Sequence, residues 1–327
     1  MAAAAGAKAP ALATLCDSHF HLWDTKATPN PNLGTVPSGF QTYLGARYAS
    51  DLEPIRLAGC VHVETCVGQT DGGFRLDPFA ETEFVHSQCA ALGVPFKVVA
   101  FVNLSEPDAE VAVKKHLARS PHVVGVRMIT NFVDGHPEWT YPQVERDHWG
   151  GDEQFEAGLR MLAAYGLVFD LQAAPEQLSR AASVLAASVP AHLKVVVNHM
   201  GCGPRCAEDE RAATGLWDVW LAGMTALAKR ETTFVKLSGI TMLFPGWETP
   251  GPVRTRAARA VKECVRLFGP ERCMLGSNCP VDPMLGPAPA TDVLAFIADV
   301  VSEAVGGDVA SLEHAVVGTA SAVYGLG

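Results

Sequence analysis

The residues best suited to chemistry lie in the stretch Leu15-Cys16-Asp17-Ser18-His19-Phe20-His21-Leu22-Trp23-Asp24. His19 and His21 stand at i and i+2, a spacing that on an extended strand turns both imidazoles to one face, where they can converge on one ion or one substrate oxygen. An HxH pair alone is a weak signal, and two incidental polar residues in an apolar strand are the competing reading. The pair gains weight if this is the first strand of an α/β barrel, because catalytic groups of such barrels collect at the carboxyl ends of the strands. Further candidates lie downstream. Glu64 ends the run Gly59-Cys60-Val61-His62-Val63-Glu64 on the face shared with His62, and is either an acid, base or hydroxyl acceptor or a satisfied structural carboxylate. Arg127 sits near the end of His122–Met128 in otherwise apolar surroundings. A buried guanidinium needs an anion, so Arg127 either grips a substrate carboxylate or polyol or closes an internal salt bridge.

Those residues need elements to hold them, and the chain supplies eight strand-like runs in order. After the first strand, residues 24–54 show no sustained period and predict a long loop over a barrel mouth, with Gln41–Leu44 and Tyr48 either touching substrate or only packing. A helix is expected over Asp77–Leu92, a third strand over Phe96–Asn103, a helix over Asp108–Arg119, and a fourth strand over His122–Met128. Asn131–Asp152 carries His136, Trp139, Tyr141, His148 and Trp149 in an irregular stretch that suggests a lid. A helix over Gln154–Tyr165 precedes the fifth strand, Gly166–Gln172, whose Asp170 and Gln172 share a face. Pro175 opens the next helix. The sixth strand, Lys194–Gly201, carries His199 at its end, and Thr214–Lys229 has a helical apolar stripe. Phe234–Gly239 is the seventh strand. Arg272–Asn278 is the eighth and runs into Cys279-Pro280-Val281-Asp282, with helices over Thr291–Val305 and Val309–Tyr324 closing the chain. Strand and helix in alternation, without a glycine-rich dinucleotide turn after the first strand, predict a single (β/α)8 barrel over a doubly wound sheet.

Composition narrows the partners. With 48% hydrophobic and 18% charged residues the chain has the makings of a well-buried core. A net charge of -10 argues against nucleic acid or an anionic membrane as partner and favours a small molecule. Nine scattered cysteines fit a reducing compartment, and Cys202 and Cys206 lack the second pair of a zinc knuckle. Residues 1–14 read as a flexible Ala-rich tail without a secretion signal's apolar core, no apolar run reaches membrane-spanning length, and residues 15–327 read as the barrel domain. A cytoplasmic location and a possible homodimer are the expectations.

Taken in series, Asp17–Asp24, Gly125-Val126-Arg127, Asn198-His199-Met200-Gly201, Lys236-Leu237-Ser238-Gly239 and Gly276–Asp282 resemble the amidohydrolase-related TIM-barrel hydrolases, over roughly residues 15–325. Within them the chain looks closest to the group of sugar-acid lactonases and 2-pyrone-4,6-dicarboxylate lactonase. The resemblance implies that His19 and His21 either ligate a divalent metal or meet the substrate carbonyl directly, that His199 is the histidine ending the sixth strand, and that Arg127 holds an anionic or polyol group. Two departures matter. Asn278 stands where the family usually has a metal-binding, water-activating aspartate, and Gln172 where metal-dependent relatives commonly place a histidine. An amide is no general base and a poor zinc ligand. The expectation is therefore no required cofactor, or one weakly bound zinc or manganese on His19, His21 and His199.

The leading reading is a lactonase-type hydrolase. In it, His19 and His21 polarise the carbonyl, Arg127 grips the substrate with Glu64, Gln172, Asn278 and Tyr48 around it, and Asp282 or His199 activates water. Asp282 has a rival role as a brace for the loop after the eighth strand. Metal-assisted, non-oxidative decarboxylation of a small unsaturated or aromatic acid is the alternative within enzymes, and an inert barrel that only binds is the alternative outside them.

Overall fold

The computed structural model describes residues 12–66, 77–204 and 210–326. Eight parallel strands follow one another around a barrel in chain order: β1 (Thr14–Phe20), β2 (Arg56–Val63), β3 (Phe96–Phe101), β4 (Val123–Ile129), β5 (Val168–Gln172), β6 (Val195–Val197), β7 (Thr233–Leu237) and β8 (Cys273–Leu275). The fold is the expected α/β TIM barrel. Its principal helices are α1 (Gly45–Asp51), α2 (Pro78–Ala90), α3 (Ala109–Arg119), α4 (Glu153–Ala164), α5 (Leu178–Ser188), α6 (Glu210–Ala228), α7 (Pro252–Phe268) and α8 (Ala290–Ala304). Side-chain caps begin two of them: Asp77 accepts from the N–H of Phe79, and Asp152 from that of Phe155. Among the described residues no helix is long and apolar enough to cross a membrane.

Strand alternation divides the core. Outward residues such as Val98, Val126, Phe169, Val195 and Leu275 pack under the helices, while Cys16, Val61, Val99, Val168, Val196 and Met274 fill the barrel's axis. The closing helical run ends in Thr319–Tyr324 and plugs the amino-terminal end of that axis with Ala320, Val323, Tyr324 and Leu326. Lys194, just before β6, secures the plug by donating to the carbonyls of Ala322 and Val323.

The seam between β1 and β8 is closed mainly by a side chain. Asp17 is fully buried and accepts from the N–H and hydroxyl of Ser277, at 2.9 and 2.6 Å, and from the Tyr48 hydroxyl at 2.8 Å. Backbone bonds then run from Asn278 N–H to the His19 carbonyl and from His21 N–H to the Cys279 carbonyl, 2.8 and 2.7 Å.

Residues 24–54 are more ordered than expected. Trp23–Asp24 pairs antiparallel with Thr42–Tyr43, two 3-10 turns lie between them, and α1 follows. Its Tyr48 is correspondingly not at the mouth: it stacks on Phe20 at 4.0 Å between the barrel and its helices, with its hydroxyl committed to Asp17. The expected lid over residues 131–152 is anchored as well, Trp149 being buried with its indole N–H on Thr130. The expected break at Gly68–Gly73, Cys206, and the tail through residue 11 lie outside the described residues.

The plug reaches into the polar interior, where Tyr324 donates to Asp170 Oδ1 at 2.7 Å. Tyr324→Phe leaves that buried oxygen short of a partner and is expected to cost about 1–3 kcal/mol of stability, read from urea unfolding; an unchanged midpoint would remove the bond from the account.

Candidate active site

The histidines meet where the strands end. β1 carries a register shift between Asp17 and Phe20 that delivers His19 and His21 to the mouth, and their Nε2 atoms lie 3.2 Å apart. His21 Nδ1 is held by the Val63 carbonyl at 2.7 Å, at the end of β2. His199 comes from the turn after β6, where His199, Met200 and Gly201 all have left-handed φ, so the strand stops at Val197 and not at Gly201 as expected. That turn sets the His199 ring 4.3 Å from the His19 ring, with its Nδ1 2.9 Å from the Ser238 hydroxyl. Two glycines make this approach possible. A Cβ on Gly276 would lie 2.9 Å from His19 Cβ, and one on Gly239 the same distance from His199 Nδ1.

All non-glycine residues with left-handed φ among the described residues are Cys66, His199, Met200, Cys202 and Asn278. Each follows a barrel strand at the carboxyl-end face. Such conformations cost on the order of 1–3 kcal/mol each and gather where function needs a fixed geometry.

Below the histidines lies a floor of paired charges. Arg127 donates from Nε to Glu64 Oε1 at 2.6 Å, from Nη1 to Gln172 Oε1 at 2.8 Å, and from Nη2 to the Glu64 carbonyl. The other oxygen of Glu64 accepts from the Cys66 N–H at 2.6 Å. Of the alternatives open for these residues, the structure shows the internal ones: Arg127 pairs with Glu64, both carboxylate oxygens of Glu64 accept hydrogen bonds, and Gln172 accepts from the guanidinium. Burial without an anion would cost too much, and these were the nearest partners.

A second pair was not assigned from sequence. Lys236, fully buried on β7, donates to Asp170 Oδ2 at 2.5 Å and comes within 3.4 Å of His19 Nδ1. Asn198 adds a bond to the same oxygen of Asp170. The signal for Lys236 was the one used for Arg127, a cation inside an apolar strand. Tyr324, 154 residues beyond Asp170 on the plug, offered no local signal.

Asn278 and Asp282 form a third unit. Asp282 accepts from Asn278 Nδ2 at 3.0 Å and from the N–H groups of Thr241 and Met242, and burial raises its carboxyl to about 6 despite those donors. It ties the turn after β8 to the turn after β7, which is the bracing role. Among the described residues no three His, Cys, Asp or Glu side chains group as metal ligands. His199 therefore does not group with His19 and His21 as the expected three-histidine set.

Burial holds His19, His21 and His199 well below the ordinary histidine value, helped at His19 by His199 and Lys236 and at His21 and His199 by Arg127. His62 is lowered to about 3 for the same first reason. Unfolded, these groups take up protons as pH falls through the usual histidine range; folded, they do not. Their contribution to stability is present above that range and lost on acidification, by about 1.4 kcal/mol per pH unit for each proton. Glu81 and Asp282, raised by burial to about 8 and about 6, oppose this with at most one proton each. Denaturant midpoints measured between pH 7 and 5 are expected to fall steadily; a flat profile would mean these imidazoles are solvated.

The matched family model is that of the amidohydrolases, over residues 16–326. Protein y4mH of Sinorhizobium fredii is 28% identical over 282 residues, covering 82% of this chain and 85% of its own. An amidohydrolase from Burkholderia multivorans crystallised with zinc superposes with TM-score 0.72 at 22% identity, covering 96% of this chain and all of that one. A probable 2-pyrone-4,6-dicarboxylic acid hydrolase from Acinetobacter baumannii, with citric acid bound, gives 0.67 at 15% identity over 95% and 99% of the two chains. The barrel, the histidines at its mouth and the match along nearly its whole length agree: the chain belongs to the amidohydrolase family.

Proposed function

We propose that the protein hydrolyses a small lactone or related cyclic ester. The observation that carries this is the convergence of three neutral imidazoles at one mouth, His19 and His21 with Nε2 atoms 3.2 Å apart and His199 tilted against His19 with ring centroids 4.3 Å apart. Neutral imidazoles supply both things ring opening needs, an N–H for the carbonyl oxygen and a lone pair for water. His199 is the base in this reading, its Nδ1 engaged with the Ser238 hydroxyl and its Nε2 the atom that accepts the proton. It takes the proton of a water as the new C–O bond forms, the N–H of the His19–His21 pair, on His19 Nε2, donates to the developing oxyanion, and the ring C–O bond breaks as His199 returns the proton to the leaving alkoxide. Asp282, with three donors on its carboxylate, supports the turn bearing Asn278.

The Arg127–Glu64 pair supports a neutral, polyol-type ring over a dicarboxylated one, because the guanidinium's charge is already compensated. A divalent ion is optional: zinc sits in the Burkholderia relative, His19 and His21 would hold one here, and a bound ion would supply polarisation of the carbonyl. Gln172 and Asn278, tied to Arg127 and Asp282, offer it no charge.

The test is a panel of neutral sugar lactones and carboxylated pyrones, followed by pH-stat with chelator present. Ring opening is expected, faster on neutral rings, with His199→Gln lowering kcat about 10²–10⁴-fold. Asp282→Asn is expected to lower stability by about 1–3 kcal/mol, since an amide N–H₂ must then face N–H donors, and to leave kcat of the folded fraction within about tenfold. Inertness toward every lactone, together with carbon dioxide release from aromatic acids, would replace the reading with decarboxylation.

A further inference from the structure

Lys236 has no part in the steps above, yet it reaches the catalytic pair from below. Its Nζ lies 2.5 Å from Asp170 Oδ2 and 3.4 Å from His19 Nδ1, with the Tyr324 ring 5.2 Å away. Asp170 is itself held by Asn198 Nδ2 and the Tyr324 hydroxyl. An ammonium has three donors and no lone pair, so it can meet His19 Nδ1 only as an acceptor. The single proton of neutral His19 then resides on Nε2. At the far end the Val63 carbonyl can only accept, which places the proton of His21 on Nδ1 and leaves its Nε2 bare. One proton thus bridges the 3.2 Å between the two Nε2 atoms. The chain has a single direction: Lys236 to His19, His19 to His21, His21 to Val63.

We propose that Lys236, anchored by Asp170, is a positioning residue that fixes His19 as its Nε2–H tautomer, so that the pair meets substrate as one N–H donor and one lone pair. For its catalytic consequence this rests on the lactone reading: the N–H that bridges to His21 in the free site is the one the pair has to turn to the carbonyl oxygen, and Lys236 dictates it. The same contact makes the pair a poor metal site. A histidine that ligates through Nε2 gives its Nδ1–H to a carboxylate or carbonyl, and His19 Nδ1 faces an ammonium instead.

The first measurement uses wild-type protein labelled with ¹⁵N-histidine, in which two-bond ¹H–¹⁵N correlations report the tautomer and His19→Gln assigns the signal. A protonated Nε2 with a bare Nδ1 is the expected result, and the opposite tautomer overturns the proposal. In Lys236→Met the fixed tautomer is expected to be lost, and zinc affinity by titration calorimetry to rise about tenfold or more. Unchanged tautomer and unchanged zinc affinity in that variant also overturn it. Should Lys236→Met fail to fold, the wild-type spectrum still decides. Failure of every lactone assay would remove the hydrolase reading alone, since the spectrum reports on Lys236 without substrate.

Discussion

The arrangement of this site depends on how the barrel is shut. β8 is only three residues long and pairs with β7, so its contact with β1 is made largely by one buried carboxylate. Asp17 draws Ser277 and Tyr48 onto itself, and the backbone bonds from Asn278 to His19 and from His21 to Cys279 follow in line. A parallel ladder long enough to do the same would have kept β1 regular to its end. The side-chain clasp tolerates the register shift that turns His19 and His21 into the mouth. It also brings the first strand's histidines against the turn after β6, which carries His199.

Charge compensation is the second constraint. Two cations and two carboxylates lie inside the barrel, each ion pair completed by amides: Gln172 for Arg127, Asn198 for Asp170. Pairing makes burial tolerable, and it also leaves the floor of the site close to neutral. The imidazoles above it feel desolvation first and residual positive field second, and both keep them unprotonated. A site so built suits chemistry that uses imidazole as acid, base and hydrogen-bond donor. The amides of Gln172 and Asn278 are structural partners of Arg127 and Asp282.

What the sequence determined by itself was periodic or local. Eight apolar runs alternating with helical stripes specified the barrel, and the i, i+2 spacing of His19 and His21 specified a shared face. The turn at His199-Met200-Gly201 was legible as the end of a strand, because a glycine stood there. Tertiary structure decided everything that depends on which distant groups meet. Whether Arg127 faced a substrate or Glu64, whether Asp282 was base or brace, and whether Tyr48 lined the mouth or the outer shell were open in sequence, since each side chain has the same chemistry in either setting. Lys236, Asp170 and Tyr324 come from β7, β5 and the terminal plug, and no spacing along the chain relates them. A buried charge must find its partner in space, and only the closed barrel fixes where that partner is.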